Sequence, residues 1–302
     1  MQIWLRVISE LGDDTLRIVM TGATGFLGTA VATVLAEHGA DVTLLARMSS
    51  VLTNQPGNVV RFESSVEAGH HVKALAPDVL IHLAAAQGRL RETAVSMVDT
   101  NVTLSTALLE AMGPGSLFIN TATTLPPDVN LYAQTKRQFV DLAHLLVSQG
   151  KIQANVANTQ MQMIYGAGDD PVKFIPMLAL HLVENTKPLI TTPANQKRDF
   201  VHVNDAASAI LALINARSDL APWQDVPIGS GNAVPLSEFI DYAINVSGFN
   251  QPWEKSLTPR PGEPPEMVAD TTFLKRLGWS PQVTLKEGIS ELIEGARSVL
   301  NV

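Results

Sequence analysis

The sequence predicts an α/β chain, a doubly wound parallel sheet followed by a smaller C-terminal region. Three observations predict it. Short apolar runs alternate with segments of helical period from residue 16 to about residue 166. Glycines and short polar turns punctuate the alternation. After Gly166 the rhythm changes, and proline-containing loops interrupt the helices.

The elements follow in order. Residues 16–20, LRIVM, apolar but for Arg17, read as a buried strand of the kind covered on both faces. A glycine-rich turn leads into TAVATVLAEHG, which has helical spacing and a stop at Gly39. DVTLLA is the second strand, and its parallel pairing requires a right-handed crossover. NVVRFES is the third strand, and PDVLIHLAAA, nearly all apolar, is the fourth. VDTNVTLSTALLEAM reads as one amphipathic helix, SLFINTAT as the fifth strand, and YAQTKRQFVDLAHLLVSQG as a long helix ending at Gly150. IQANVANTQMQMIYG is the sixth strand and its exit. Beyond it come a loop and helix around PVKFIPMLALHLVEN, a strand entering a helix in RDFVHVNDAASAILALINA, a proline-rich stretch, and a helical end with a turn.

At 302 residues the chain suits one large or two unequal domains with a sizeable core. Hydrophobic residues at 46% and charged residues at 17% fit a folded globular chain. A net charge of −8 argues against nucleic acid as a partner, since that binding needs a basic surface. The absence of cysteine removes disulfides, thiolate nucleophiles and thiolate metal sites, and no metal site is expected. Residues 1–14 are too short and too acidic for a signal peptide and read as a frayed extension or a short surface helix. No apolar run is long enough for a membrane span, so a cytoplasmic protein is expected.

Gly22, Gly25 and Gly28 form G-x-x-G-x-x-G directly between a strand and a helix. That pattern suits a dinucleotide: small residues permit the tight turn and the close approach of a pyrophosphate. Thr24, Phe26 and Leu27 belong to the same cradle, where the helix N-terminus presents donors and a positive dipole end. The second strand ends in LLARMSS, with Arg47 where a ribose-binding carboxylate would stand in an NAD site. An arginine followed by Ser49 and Ser50 suits a 2′-phosphate, which favours NADP(H) and leaves NAD(H) possible. The alternative is a solvated arginine at a strand exit.

Tyr132 and Lys136 are four residues apart in a helical segment and therefore share a face. An ammonium beside a phenol favours the phenolate, which lets the phenol exchange a proton with a carbonyl or alcohol oxygen while a hydride moves at carbon. Thr121, at the end of the fifth strand, is the expected hydroxyl partner of that oxygen, with Thr123 as the second choice.

In TGATGFLG, HLAA, Asn101 of DTNVTLSTALL, YAQTK, IYGAGDD, RDFVHVNDAA and RPGEPPEMVADTTFLKRLGW, the chain resembles the extended short-chain dehydrogenase/reductase family, the NAD(P)-dependent nucleotide-sugar epimerases, dehydratases and reductases. The resemblance covers residues 16 to about 292. It implies a Rossmann domain for NADP(H) over 15–166 plus about 199–230, and a nucleotide-sugar-binding region over about 167–198 plus 231–302, after a 1–14 extension. It further implies Leu83, Ala84, Ala85 and Asn101 beside the cofactor, Tyr132 and Lys136 in contact with it, and Thr121, Tyr132 and Lys136 in catalysis. Thr123, Lys173, Arg198 and Arg260 are implied on the sugar nucleotide, and a homodimer through two helices per subunit is implied as well.

Dehydratases of this family carry Asp-Glu after the catalytic threonine. Here Ala122 and Thr123 occupy those positions, and neither exchanges protons near neutrality. The interval from Thr121 to Tyr132 is also short, 11 residues. With Lys173 in DDPVKF, it resembles the bacterial reductases that act on CDP- or dTDP-4-keto-6-deoxyhexoses. A 4-epimerase with tightly bound NAD stays open as an alternative, as does a non-catalytic NADP(H) sensor.

Overall fold

The computed structural model describes residues 16–52, 55–89, 91–256, 258 and 264–301. The 1–14 extension and Arg260 lie outside the described residues. The chain divides into two compact units: the described residues up to Gln160 with Ala207–Val226, and Met161–Ala206 with the described residues from Pro227 onward. From the sequence, these crossings are expected at 166, about 199 and about 230.

The first unit holds a seven-stranded sheet. Its strands are β1 (Arg17–Thr21), β2 (Asp41–Arg47), β3 (Asn58–Phe62), β4 (Val79–His82), β5 (Leu117–Thr123), β6 (Asn155–Met161) and, late in the chain, β10 (Trp223–Ile228). Their order is β10-β6-β5-β4-β1-β2-β3. Pairing is parallel from β3 through β5, with Ile18 facing Val42 on one side and Val79 on the other. The reversal of strand order beside β1 is the feature of a doubly wound sheet. Val19, Leu45, Leu80, Phe118 and Val156 point to one face, where α2 (Ser65–Leu75), α4 (Ser105–Glu110) and α5 (Leu131–Ser148) cover them through Val72, Leu108 and Phe139. Their alternates Ile18, Met20, Leu44, Ile81 and Ala157 are buried on the opposite face. Helix α1 (Phe26–Glu37) follows β1 and buries Gly28, Val31, Ala32 and Leu35.

Two elements of this unit differ from expectation. Helix α2 went unread because His70, His71 and Gly69 blur its apolar stripe. Its start is nevertheless encoded: Ser64 accepts from the Glu67 amide at 3.2 Å, and Glu67 accepts from the Glu63 amide at 2.7 Å. The single helix expected over 98–112 is instead α3 (Ala94–Val98), a π-helical stretch Asp99–Leu104, and α4. The widened turn brings three polar side chains, Thr100, Asn101 and Ser105, into the interior, where each has partners.

The second unit contains α6 (Phe174–Glu184), α8 (Leu236–Ser247), α9 (Thr272–Arg276) and α10 (Leu285–Leu300). Strand β9 (Lys197–His202) runs parallel to β7 (Met163–Tyr165) and β13 (Glu266–Met267), and antiparallel to β11 (Ala233–Pro235). A two-stranded ribbon pairs β8 (Leu189–Thr191) with β12 (Trp253–Lys255). The core gathers Tyr165, Leu178, Leu182, Phe200, Phe239 and Ile293. Helix α8 was not read from the sequence, although Pro235 opens it and Gly248, in the left-handed conformation at φ 76°, closes it. Helix α7 (Val203–Asn215) begins directly after β9.

Candidate active site

The glycine turn after β1 is shaped by backbone contact. Gly22 has φ 74°, and a Cβ there would stand 2.6 Å from the Ala84 amide nitrogen. A Cβ on Gly28 would overlap the Gly22 carbonyl, so the first turn of α1 can lie against β1 only with glycine there. Gly25 differs: its φ is −80°, and the nearest atom to an added Cβ is the Gly22 oxygen at 3.4 Å. Nothing within the fold demands glycine at that position, so its smallness leaves space outside the chain. The N-terminus of α1 has no side-chain cap and no acidic residue in its first turn. A helix N-terminus with a glycine N-cap and no acidic residue in its first turn fits a dinucleotide pyrophosphate, with Gly22, Gly25 and the first turn of α1 to hold it.

At the end of β2, Arg47 Nη2 donates to Thr100 Oγ1 at 2.9 Å, and the Thr100 hydroxyl in turn donates to the Ser96 carbonyl at 2.9 Å. The turn that follows is held from β3. Arg61 Nη1 donates to the carbonyls of Arg47 (2.9 Å), Met48 (3.2 Å) and Ser50 (2.9 Å). Sequence reasoning missed Arg61, and no local pattern marks it.

Asn130 starts α5, its side chain accepting from the Ala133 amide at 2.8 Å. Tyr132 follows in the first turn and Lys136 one turn later, 1% exposed. Burial pulls the Lys136 ammonium down to about 8. Burial raises the Tyr132 phenol, and the nearby Arg89 guanidinium opposes that rise. Thr121 Oγ1 donates to the His82 carbonyl at 3.2 Å, and the His82 imidazole in turn lies within the field of Lys136. Thr123 is engaged otherwise, its hydroxyl accepting from the Leu125 amide at 3.2 Å in the turn that leaves β5.

A buried polar chain lies behind this set. Ser105 Oγ donates to the Asn101 carbonyl at 3.0 Å, so toward His82 Nε2, 2.8 Å away, it accepts. The imidazole proton therefore sits on Nε2, and Nδ1 accepts from Thr21 Oγ1 at 2.8 Å. Thr21 Oγ1 also accepts from the Ala84 amide at 3.3 Å. Desolvation and the Lys136 charge hold His82 neutral, with a pKa near 3. Asn101 continues the scaffold. It exchanges two 2.8 Å hydrogen bonds with the backbone of Ala86 and donates to Thr135 Oγ1 at 2.9 Å. Its amide is thereby committed to tying the loop after β4 to α5, one residue before Lys136. Leu83, Ala84 and Ala85 form the start of that loop and are half-buried.

In the second unit, Lys173 pairs with Asp169 at 2.6 Å. Arg198 is 5% exposed, and its Nη1 donates to the carbonyls of Lys197 (2.7 Å) and Pro264 (3.0 Å). Beside it, Asp199 accepts from the amides of Ser230, Gly231 and Ala269 and from the Ser230 hydroxyl, which fixes the strand end. No helix of the described residues is long and apolar enough to cross a membrane.

Comparison with known proteins agrees with this architecture. A model of the NAD dependent epimerase/dehydratase family matches residues 18–229. CDP-abequose synthase of Salmonella typhimurium is 28% identical over 294 residues, 92% of this chain and 97% of that one. The dTDP-6-deoxy-L-talose 4-dehydrogenase (NAD(P)(+)) of Kitasatospora kifunensis is 26% identical over 91% of this chain and 94% of its own. The crystal structure of Thermotoga maritima UDP-glucose 4-epimerase with UDP-glucose superposes with a TM-score of 0.77 at 21% identity, over 94% of this chain and 100% of that one. With a glycine cradle at the switch of its parallel sheet and a half-buried Tyr132 one turn before a buried Lys136 on α5, the chain belongs to the NAD dependent epimerase/dehydratase family and is an NAD(P)-dependent enzyme of the extended short-chain dehydrogenase/reductase type.

Proposed function

We propose that the protein reduces the C4 keto group of a nucleotide-diphosphate 4-keto-6-deoxyhexose with NADPH. The observation that carries this reading is the end of β5. Thr121 is followed by buried Ala122 and by Thr123, whose hydroxyl accepts from the Leu125 amide; neither side chain is acidic, so no carboxylate stands where water elimination would need one. The likeness to CDP-abequose synthase over nearly the full length of both chains supports the same class of substrate.

A bound dinucleotide would supply the hydride that C4 receives. As the carbonyl π electrons move onto oxygen, Tyr132 gives that oxygen its phenolic proton and becomes a phenolate. The Lys136 ammonium stabilises the phenolate by charge and, by the family resemblance, also holds the nicotinamide ribose. Thr121 turns its hydroxyl from the His82 carbonyl, a long 3.2 Å bond, to the reacting oxygen. The phenolate then recovers a proton from solvent. Arg47 takes the 2′-phosphate, with Ser49 beside it. Lys173, Arg198 and Arg260 are assigned to the sugar nucleotide, and a cytoplasmic homodimer through the helices around Asn101 and Tyr132 completes the reading.

The test mixes protein and NADPH with 4-keto-6-deoxyhexoses carrying CDP, dTDP, UDP or GDP and follows loss of reduced nicotinamide. Consumption with one of them is the expected result. No consumption with any, together with interconversion of C4 epimers and retained NAD, would replace this reading with the epimerase.

A further inference from the structure

Residue Arg61 is used by nothing described so far except the turn that it holds. It pairs in register with Ala46, while Arg47 pairs with Phe62. Register partners in a parallel pair point to the same face, and neighbours along a strand point to opposite faces. Phe62 is buried on the face covered by α2 and α4, and Arg47 reaches Thr100 on that side. Arg61 therefore departs from the other face and curls over the end of β2 to the carbonyls of Arg47, Met48 and Ser50. Three carbonyl oxygens gathered at one point create negative potential beside the place proposed for a 2′-phosphate. The guanidinium offsets it through one nitrogen. Its Nη2 and Nε have no hydrogen-bond partner among the described residues, and Arg47 likewise uses only Nη2.

We propose that Arg61 is a second determinant of NADP(H) selectivity: a cation that straddles the Arg47–Ser50 turn with Arg47, one from each face of the sheet, and turns a carbonyl-lined turn into a seat for a phosphate monoester. This rests on the NADP(H) reading of Arg47. It adds that one arginine alone would face three converging carbonyl dipoles and select poorly.

The experiment titrates NADPH and NADH into wild type, Arg47→Ala, Arg61→Gln and Arg61→Lys, with thermal melting to show that each is folded. In Arg61→Gln, whose amide can still donate to a carbonyl, NADPH should weaken about tenfold and NADH less than about twofold. Arg61→Lys should stay within about threefold of wild type for both. If Arg61→Gln does not fold, Arg61→His replaces it: relative to wild type at each pH, its preference for NADPH should fall as pH rises through about 6.5. Equal weakening of both cofactors, or no change in either, overturns the role of Arg61. If Arg47→Ala also leaves the NADPH-to-NADH ratio unchanged, the NADP(H) reading itself fails; a changed ratio there with none at Arg61 removes only this inference.

Discussion

Replacing Lys136 by methionine should make the protein more stable and far less active. Lys136 is 1% exposed, has no carboxylate partner among the described residues, and titrates near 8 instead of its ordinary 10.5. That depression corresponds to about 3 kcal/mol of burial penalty carried at pH 7, where the ammonium is charged. Methionine fills a similar volume without the charge. The sign follows from proton binding. Between about pH 8 and 10.5 the unfolded chain holds a proton on Lys136 that the folded chain has released, so wild-type stability rises with pH across that window. The methionine variant lacks this rise. Its advantage should be about 2–3 kcal/mol at pH 7 and should vanish near pH 10.5. Denaturant melts at the two pH values measure it, and steady-state assays at pH 7 should show turnover down by about three orders of magnitude. A variant no more stable than wild type at pH 7, or an advantage independent of pH, would refute the reasoning.

The remaining predictions are smaller in scope. Tyr132→Phe should leave dinucleotide binding within about twofold and cut kcat by about a thousandfold or more; a kcat near wild type would remove Tyr132 from the chemistry. Gly25→Ala should melt close to wild type yet bind dinucleotide at least about tenfold more weakly, because the fold has room for its Cβ and the pyrophosphate does not. Gly28→Ala should fail to fold or lose several kcal/mol, since its Cβ meets the Gly22 carbonyl; circular dichroism and melting distinguish the two glycines. His82→Gln should blunt acid sensitivity. With a folded pKa near 3 against an ordinary 6.5, His82 costs stability as pH falls through that window, about 3 kcal/mol by pH 4. Parallel melts at pH 7 and pH 4 should show the variant losing less than wild type by that amount.

The sheet was legible because its signal is local. An apolar run such as Val79–His82 can only be buried, and three glycines between a strand and a helix leave few geometries open. The placement of Tyr132 and Lys136 on one face of α5 was legible for the same reason. What escaped depends on distant partners. Arg61 is an ordinary β3 residue until the β2 turn folds over it. Asn101, read through the resemblance as a cofactor neighbour, has its amide occupied by Ala86 and Thr135, 15 and 34 residues away. Thr123, the second choice for the catalytic hydroxyl, also accepts from the Leu125 amide, a turn bond visible only once the short loop closes. Helix α2 was missed by its weak stripe, although Ser64 and Glu67 marked its start.

The π-helical stretch Asp99–Leu104 has a consequence for the continuity of the helix that contains it. Successive residues of an α-helix turn through about 100°, so one extra residue rotates everything beyond it by about that angle relative to an uninterrupted helix. The exposed Val95 and Val98 and the buried Leu108 and Leu109 therefore belong to two stripes, not one. A single chain segment can face the sheet with its second half while its first half presents a different side to its surroundings. Deleting one residue from 99–104 would merge the stripes and force a choice between Leu108 in the core and Asn101 against Ala86. Insertions and deletions should thus be far more damaging at this place than substitutions of comparable size.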